Sequence, residues 1–393
     1  MKLRSIAVAC ALTIAACSSG GGEPTALVTS TTVSPTTTVV ASTTLTPSTT
    51  AAPSRAQRFD GRGSYDVGVS TLKVGARISY VYYPIDKGLA GSAAKWKYSS
   101  LDAYDESLRP LIPKVLVSEF EFDAYVDPAP SQKGPFPVVL SSHGAGSFPT
   151  DVSHSHVHMA SWGFVVIAPD HHERNRMSQV GRTLPANPGQ DARDLFEALA
   201  AAGKLDRFAK VLDTKKLAVF GLSAGGRTAV EAAADPRITT IIVEAPAVSN
   251  PGDTATPSAD PKKPVLILHG DGDTVVPLAR VAAYYQRIGT PKRMVVFKKA
   301  GHNSFADACP AVRDRGGLTQ YAKELGLSES LLRAGDNGCL AEFADPKTVW
   351  PLVYQLTVGW LNQHLLGAGG ASIDAAYLSA NFASIAIENR IGA

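Results

Sequence analysis

From about residue 61 onward, short and largely apolar runs alternate with longer amphipathic stretches. The runs at 137–142, 164–168, 217–220, 239–243, 264–268 and 293–297 are dominated by apolar residues and do not alternate with polar ones. Strands that are apolar throughout, rather than on alternate positions, are those of a parallel sheet covered on both faces. An earlier run at 76–83 is β-branched and aromatic, and Pro84 is expected to end it. Helical periodicity fills the gaps at about 151–161, 190–202, 224–234 and 277–288, and a long amphipathic stretch at 346–366 closes the pattern. Alternation of this kind predicts an α/β fold with a mostly parallel sheet and right-handed crossovers. Residues 90–134 read as an irregular surface excursion with a short helix. The stretch 367–393 reads as a weakly patterned, loosely packed tail. No internal repeat is visible.

The first residues follow a different logic. A short positive start with Lys2 and Arg4 precedes an apolar stretch over 5–16 that is too short to span a bilayer, as in a secretory signal. Its end, Ile14-Ala15-Ala16-Cys17, resembles a bacterial lipobox, in which the cysteine becomes the lipid-modified first residue. Cys10 lies too early for that role. The alternative is an ordinary signal peptide with an incidental Cys17. Residues 18–57 are Ser/Thr-rich and broken by Pro24, Pro35, Pro47 and Pro53, with too little apolar surface to offset chain entropy. The predicted organisation is a signal at 1–16, a lipidated tether at 17–57, a folded domain at 58–366 and a tail at 367–393. The chain is expected to be exported and anchored to the outer face of a bacterial cell membrane.

Composition narrows the picture further. The chain has 393 residues, 45% of them hydrophobic, which is ample for a large core. Charged residues make up 19%, the net charge is +3, and no basic stripe is present, which argues against a nucleic-acid partner. Loss of Lys2 and Arg4 with the signal lowers that charge to about +1, too little to steer a partner. Four cysteines without CxxC spacing exclude a disulfide framework and a cysteine metal site. Cys309 and Cys339 are the two cysteines of the exported globular part. They are predicted to pair in an oxidising compartment, closing a polar, helix-containing insertion; two free thiols are the alternative.

The chemistry falls at predicted strand ends. Gly221-Leu222-Ser223-Ala224-Gly225 follows one strand and opens an alanine-rich helix, the context that makes G-x-S-x-G a nucleophile elbow. Asp271-Gly272-Asp273 follows the strand at 264–268, and Gly301-His302 follows that at 293–297, giving the order serine, acid, histidine. His302 is the candidate base. Asp273 is the preferred acid, and Glu244, at the end of the preceding strand, is the alternative. Backbone N–H groups of Ala145, within Ser142-His143-Gly144-Ala145-Gly146, and of Ala224 are the candidate oxyanion donors. His143 is expected to shape that loop. His154, His156 and His158 form H-x-H-x-H; a zinc site there lacks a further ligand, so the three are expected to line or flank the site mouth. His171-His172-Glu173 reads as a structural turn. No cofactor and no metal are predicted.

With these motifs in place, the chain resembles the α/β-hydrolase superfamily, and more narrowly the esterases similar to dienelactone hydrolase and bacterial platelet-activating-factor acetylhydrolase. The resemblance spans about 60–366 and rests on three stretches. They are Tyr65-Asp66-Val67-Gly68-Val69 leading to Tyr82-Tyr83-Pro84, Ser142-His143-Gly144-Ala145-Gly146, and Ala160-Ser161-Trp162-Gly163-Phe164 with Ala168-Pro169-Asp170-His171. The triad spacing also resembles that of secreted polyester hydrolases. Two departures matter. Dienelactone hydrolases proper use a cysteine nucleophile where Ser223 stands here, and polyester hydrolases place an aromatic residue where Leu222 stands. The resemblance implies hydrolysis of a carboxylic ester, with a small-molecule or lipid ester as substrate. The alternatives are a serine peptidase of the oligopeptidase type and a non-catalytic binding protein on the same scaffold.

Overall fold

The computed structural model describes residues 56–180, 189–289, 291–321 and 329–392. The predicted signal, Cys17 and almost all of the predicted tether therefore lie outside the described residues. Among the described residues, eleven strands form one sheet in the order β11-β10-β9-β8-β7-β5-β6-β2-β1-β4-β3. Its heart is parallel: β5 (Phe136–Ser142), β6 (Val165–Pro169), β7 (Leu212–Leu222), β8 (Ile238–Glu244), β9 (Val265–Gly270) and β10 (Lys292–Phe297). β5, β6, β8 and β9 are buried almost without a break, as their unbroken apolar sequences require. β1 (Asp66–Val74), β2 (Arg77–Ile85), β3 (Lys95–Ser99) and β4 (Glu119–Val126) extend one edge, where β2 runs antiparallel to both β1 and β6.

Helices cover both faces. α1 (Ser153–Ser161) shares one core with the long closing helix, and α2 (Gln190–Gly203), α3 (Ala224–Ala232) and α4 (Leu278–Arg287) share the other. Adjacent strand residues divide between the two: Val139 faces the first core, Val138 and Leu140 the second. α5 (Ala308–Asp314) and α6 (Glu329–Asp336) form the insertion, and α7 (Pro346–Leu366) is the closing helix. The Asp345 carboxylate caps α7 by accepting the Lys347 N–H, and Pro346 occupies the first turn, where its missing N–H costs nothing. Among the described residues, no helix is long and apolar enough to cross a membrane.

Three expectations need correction. β2 runs through Pro84 to Ile85. Its pairing with β6 covers only Ser79–Tyr82, so Pro84 sits where one side of the strand is unpaired and its missing N–H breaks no ladder bond to β6. The stretch 90–134 contains β3 and β4, antiparallel to each other, with Trp96 and Tyr98 buried on the inward side of β3. The stretch 367–392 is no loose tail. α8 (Ala375–Phe382) buries Leu378 and Phe382 in the first core, and β11 (Ala386–Gly392) pairs antiparallel with β10. The start of the domain is pinned to the same region, because the Gln355 side chain accepts the Phe59 N–H at 2.6 Å and donates to the Gln57 and Ser372 carbonyls.

Cys309 and Cys339 are joined, as expected. The bridge encloses a loop with a sequence separation of 30, for which the chain-entropy account gives about 3–4 kcal/mol. An unreduced digest is expected to yield the cross-linked peptides by mass spectrometry, and reduction is expected to lower Tm by several degrees. Free thiols at both positions in protein isolated without reductant would contradict the pairing.

Candidate active site

The elbow between β7 and α3 is a tight turn. Ser223 has φ 57° and ψ −118°, a backbone conformation rarely adopted outside glycine, which costs of order 1–3 kcal/mol. The flanking glycines are steric necessities. A Cβ at Gly221 would lie 2.1 Å from the Gly225 carbonyl oxygen, and one at Gly225 would lie 1.9 Å from the Ser142 carbonyl oxygen. The motif thus lets the turn fold on itself and lets the start of the 142–146 loop lie against the helix start.

The turn lifts the Ser223 hydroxyl to His302. Ser223 Oγ lies 3.0 Å from His302 Nε2, and His302 Nδ1 lies 2.8 Å from Asp273 Oδ2. Oδ1 of Asp273 accepts the N–H groups of Val275 and Val276 at 2.9 and 2.8 Å, which fixes the carboxylate plane. All three side chains are buried. An imidazole held this way can take the hydroxyl proton and return it to a leaving group, while the carboxylate fixes its tautomer. The sequence order therefore corresponds to a spatial relay.

Glu244 stands elsewhere. Its carboxylate is fully buried and, among the described residues, neither oxygen has a hydrogen-bond partner, and burial, assisted by the nearby Asp307 charge, pushes its pKa well up. His302 takes its partner from β9's following loop, not from β8.

Gly144, Ala145 and Gly146 line a cavity of about 80 Å³ together with Leu222, Ser223 and His302. Ala224 is the first residue of α3, so its N–H has no intrahelical acceptor. Segment 170–176 braces the Ala145 loop. The Arg174 carbonyl accepts the Gly146 N–H at 2.7 Å, and its guanidinium bonds the His143 carbonyl and the Ser142 hydroxyl. Arg176 pairs with Asp151, whose carboxylate also takes the Ser147 hydroxyl at 2.7 Å and the Phe148 N–H at 3.1 Å. His143 shapes the loop as expected: Nδ1 donates to the Gly144 carbonyl, and Nε2 accepts the His171 N–H.

The three histidines of α1 do not line the mouth. His154 bonds the Phe305 carbonyl at 2.8 Å, His156 the Ser141 hydroxyl at 2.7 Å, and His158 the Phe59 carbonyl at 2.7 Å. Burial drives their pKa values down to about 3, 3 and 4, so each is a neutral ring pinning a different segment. His171, Asp191 and Asp194 bring three ligand-type atoms together. Arg174 and Arg77 already occupy the two carboxylates, which reads as an ion-pair network under the turn at 171–173.

Sequence reasoning passed over Arg174, Asp307 and Asn337. Asp307 accepts the Ser153 and His154 N–H groups at 2.7 and 3.1 Å and the Tyr98 hydroxyl at 2.9 Å. It therefore caps α1 from the histidine loop, a task that Val152 at the cap position cannot perform. Only the lone acid beside the His302 loop could have hinted at it.

This fold and this serine–histidine–aspartate relay define an α/β hydrolase. The model of the family described as "Dienelactone hydrolase family" matches residues 122–330, more than half of the chain, so the chain belongs to that family. The model "Platelet-activating factor acetylhydrolase, isoform II" matches residues 55–182. Among curated proteins, the chain is 28% identical over 206 residues to the "Putative carboxymethylenebutenolidase" of Methylorubrum extorquens, covering 47% of this chain and 68% of that one.

Proposed function

We propose that the protein is a serine esterase that cleaves carboxylic esters through an acyl-enzyme, with Ser223 as nucleophile, His302 as general base and acid, and Asp273 orienting the imidazole. The observation that carries this reading is the hydrogen-bond chain from Asp273 through His302 to Ser223 at the foot of a cavity. Ser223 Oγ attacks the ester carbonyl as its proton passes to His302 Nε2. Backbone N–H groups of Ala145 and Ala224 hold the oxyanion, each such donor being worth about 3 kcal/mol. Collapse expels the alcohol, which takes the proton from His302. Water then repeats the sequence and releases the acid. A butenolide is a cyclic ester, so the name of the Methylorubrum relative falls within the same bond class.

Membership of the family supports hydrolysis, and a serine in place of a cysteine leaves the acyl route intact. A fluorophosphonate is expected to label Ser223. Graded p-nitrophenyl esters are expected to turn over, and peptide amides are not. Labelling without ester turnover, or faster amide cleavage, would overturn the reading.

We further propose that Cys17 carries lipid and holds the enzyme on the outer face of a bacterial membrane through the 18–57 tether. Ile14-Ala15-Ala16-Cys17 supports this. Two or more acyl chains on one residue suffice for stable anchoring. Cys17→Ser is expected to move activity from the membrane fraction to the medium. Wild-type protein already free in the medium, cut at another position, would refute it.

A further inference from the structure

We propose that Asn337, a residue of the disulfide-closed insertion, is a positioning residue that holds the acid loop and the histidine loop in register. The proposal rests on the esterase reading above and adds a residue that no motif marks.

Asn337 is buried. Its side-chain oxygen accepts the backbone N–H of His302 at 2.7 Å and that of Thr274 at 3.4 Å. Its side-chain nitrogen donates to the Gly272 carbonyl at 3.1 Å. One amide thus touches the residues on both sides of Asp273 and the backbone of His302 itself. Its main-chain oxygen adds a fourth contact by accepting the Asn303 N–H at 2.9 Å. The pattern demands an amide: two N–H groups need an acceptor, and a carbonyl needs a donor. Aspartate lacks the donor, and leucine lacks both.

The segment that carries Asn337 is itself fixed to the histidine loop. The Asn303 side chain donates to the Ala334 and Gly335 carbonyls at 2.8 and 3.0 Å, and the Ser304 hydroxyl donates to the Gly338 carbonyl at 3.0 Å. Two residues beyond Asn337, Cys339 closes covalently onto Cys309 in α5, the helix that follows the histidine loop. The insertion therefore works as a splint across the back of the relay. Cys339 and Gly335 line the cavity, but Asn337 does not. Its loss should therefore act on the alignment of His302 and Asp273 and not on substrate contact. A displacement near 1 Å in such a relay costs up to about 100-fold in rate.

The test uses the mature chain, a short p-nitrophenyl ester, and active sites counted by stoichiometric fluorophosphonate labelling. N337A is expected to lose about 10- to 100-fold in kcat per titrated site with KM within about twofold of wild type. A purely structural role would lower Tm and the number of sites but leave kcat per site unchanged, and that result overturns the proposal. An equal loss carried by KM overturns it too, because Asn337 would then be shaping the cavity. If N337A does not fold, N337D carries the test. It is nearly isosteric, keeps the acceptor for His302 and loses the donor to Gly272, so kcat per site should fall by about fivefold or more; unchanged kcat refutes the role. Wild-type protein that neither labels nor hydrolyses would instead refute the esterase reading, so the two failures are distinguishable.

Discussion

Ser223→Ala is expected to abolish turnover of p-nitrophenyl esters, by about 10⁶-fold in kcat, while leaving the fold intact. The acyl-enzyme route needs the oxygen that this change deletes, and no other hydroxyl in the elbow can take its place: Leu222 and Ala224 flank Ser223. The structural consequence is small. Ser223 occupies the cap position of α3 without making a side-chain cap, and among the described residues its hydroxyl bonds His302. Alanine keeps the Cβ and meets the same backbone conformation, so the strain at φ 57° is unchanged. Thermal unfolding within a few degrees of wild type, with fluorophosphonate labelling lost, is the expected pair of results. Turnover near the wild-type rate would move the nucleophile elsewhere.

The parts of the molecule that were legible in the sequence are those where one local rule decides the outcome. β5, β6, β8 and β9 are buried almost without a break, so their runs are largely apolar and stood out, and in β7 and β10 the buried stretches 217–222 and 293–297 gave the same signal. The elbow was legible because Gly221 and Gly225 are forced by contacts under 2.2 Å with neighbouring carbonyl oxygens. β3 and β4 were missed although Glu119-Phe120-Glu121-Phe122 alternates with the period of a half-covered strand. The lysines of Lys95-Trp96-Lys97-Tyr98 masked the two buried aromatics that alternate with them. The tail was misread because β11 carries Glu388, Asn389 and Arg390, polar residues that an edge strand tolerates and a central one does not. The histidines of α1 suggested a site because H-x-H-x-H is a local pattern, whereas their partners Phe305, Ser141 and Phe59 are distant in sequence. Asn337 and Asp307 were illegible for the same reason. Asp307 caps a helix that begins 154 residues earlier, and a polar residue in an insertion has no periodicity to betray the backbone groups it will meet.

The choice of acid gives the second large effect. Asp273→Asn is expected to lower kcat by about 10⁴-fold, and Glu244→Gln to change it little. With asparagine at 273, the oxygen can still satisfy the Val275 and Val276 N–H groups, which leaves the NH₂ facing His302 Nδ1. The imidazole must then accept at Nδ1 and carry its proton on Nε2, so it has no lone pair for the Ser223 proton. His269 cannot take over the carboxylate's part. Its Nε2 stands 3.9 Å from Asp273, and burial holds its pKa down near 4, so it is a neutral ring at neutral pH. At Glu244 the argument runs the other way. Burial raises the pKa of that carboxyl well above its ordinary value and so favours its neutral form, for which a neutral amide of the same shape is a close substitute. The pair of variants therefore separates the two carboxyl groups in one kinetic experiment. Near-normal turnover by Asp273→Asn together with a crippled Glu244→Gln would place the acid one strand earlier, against the 2.8 Å contact between Asp273 and His302.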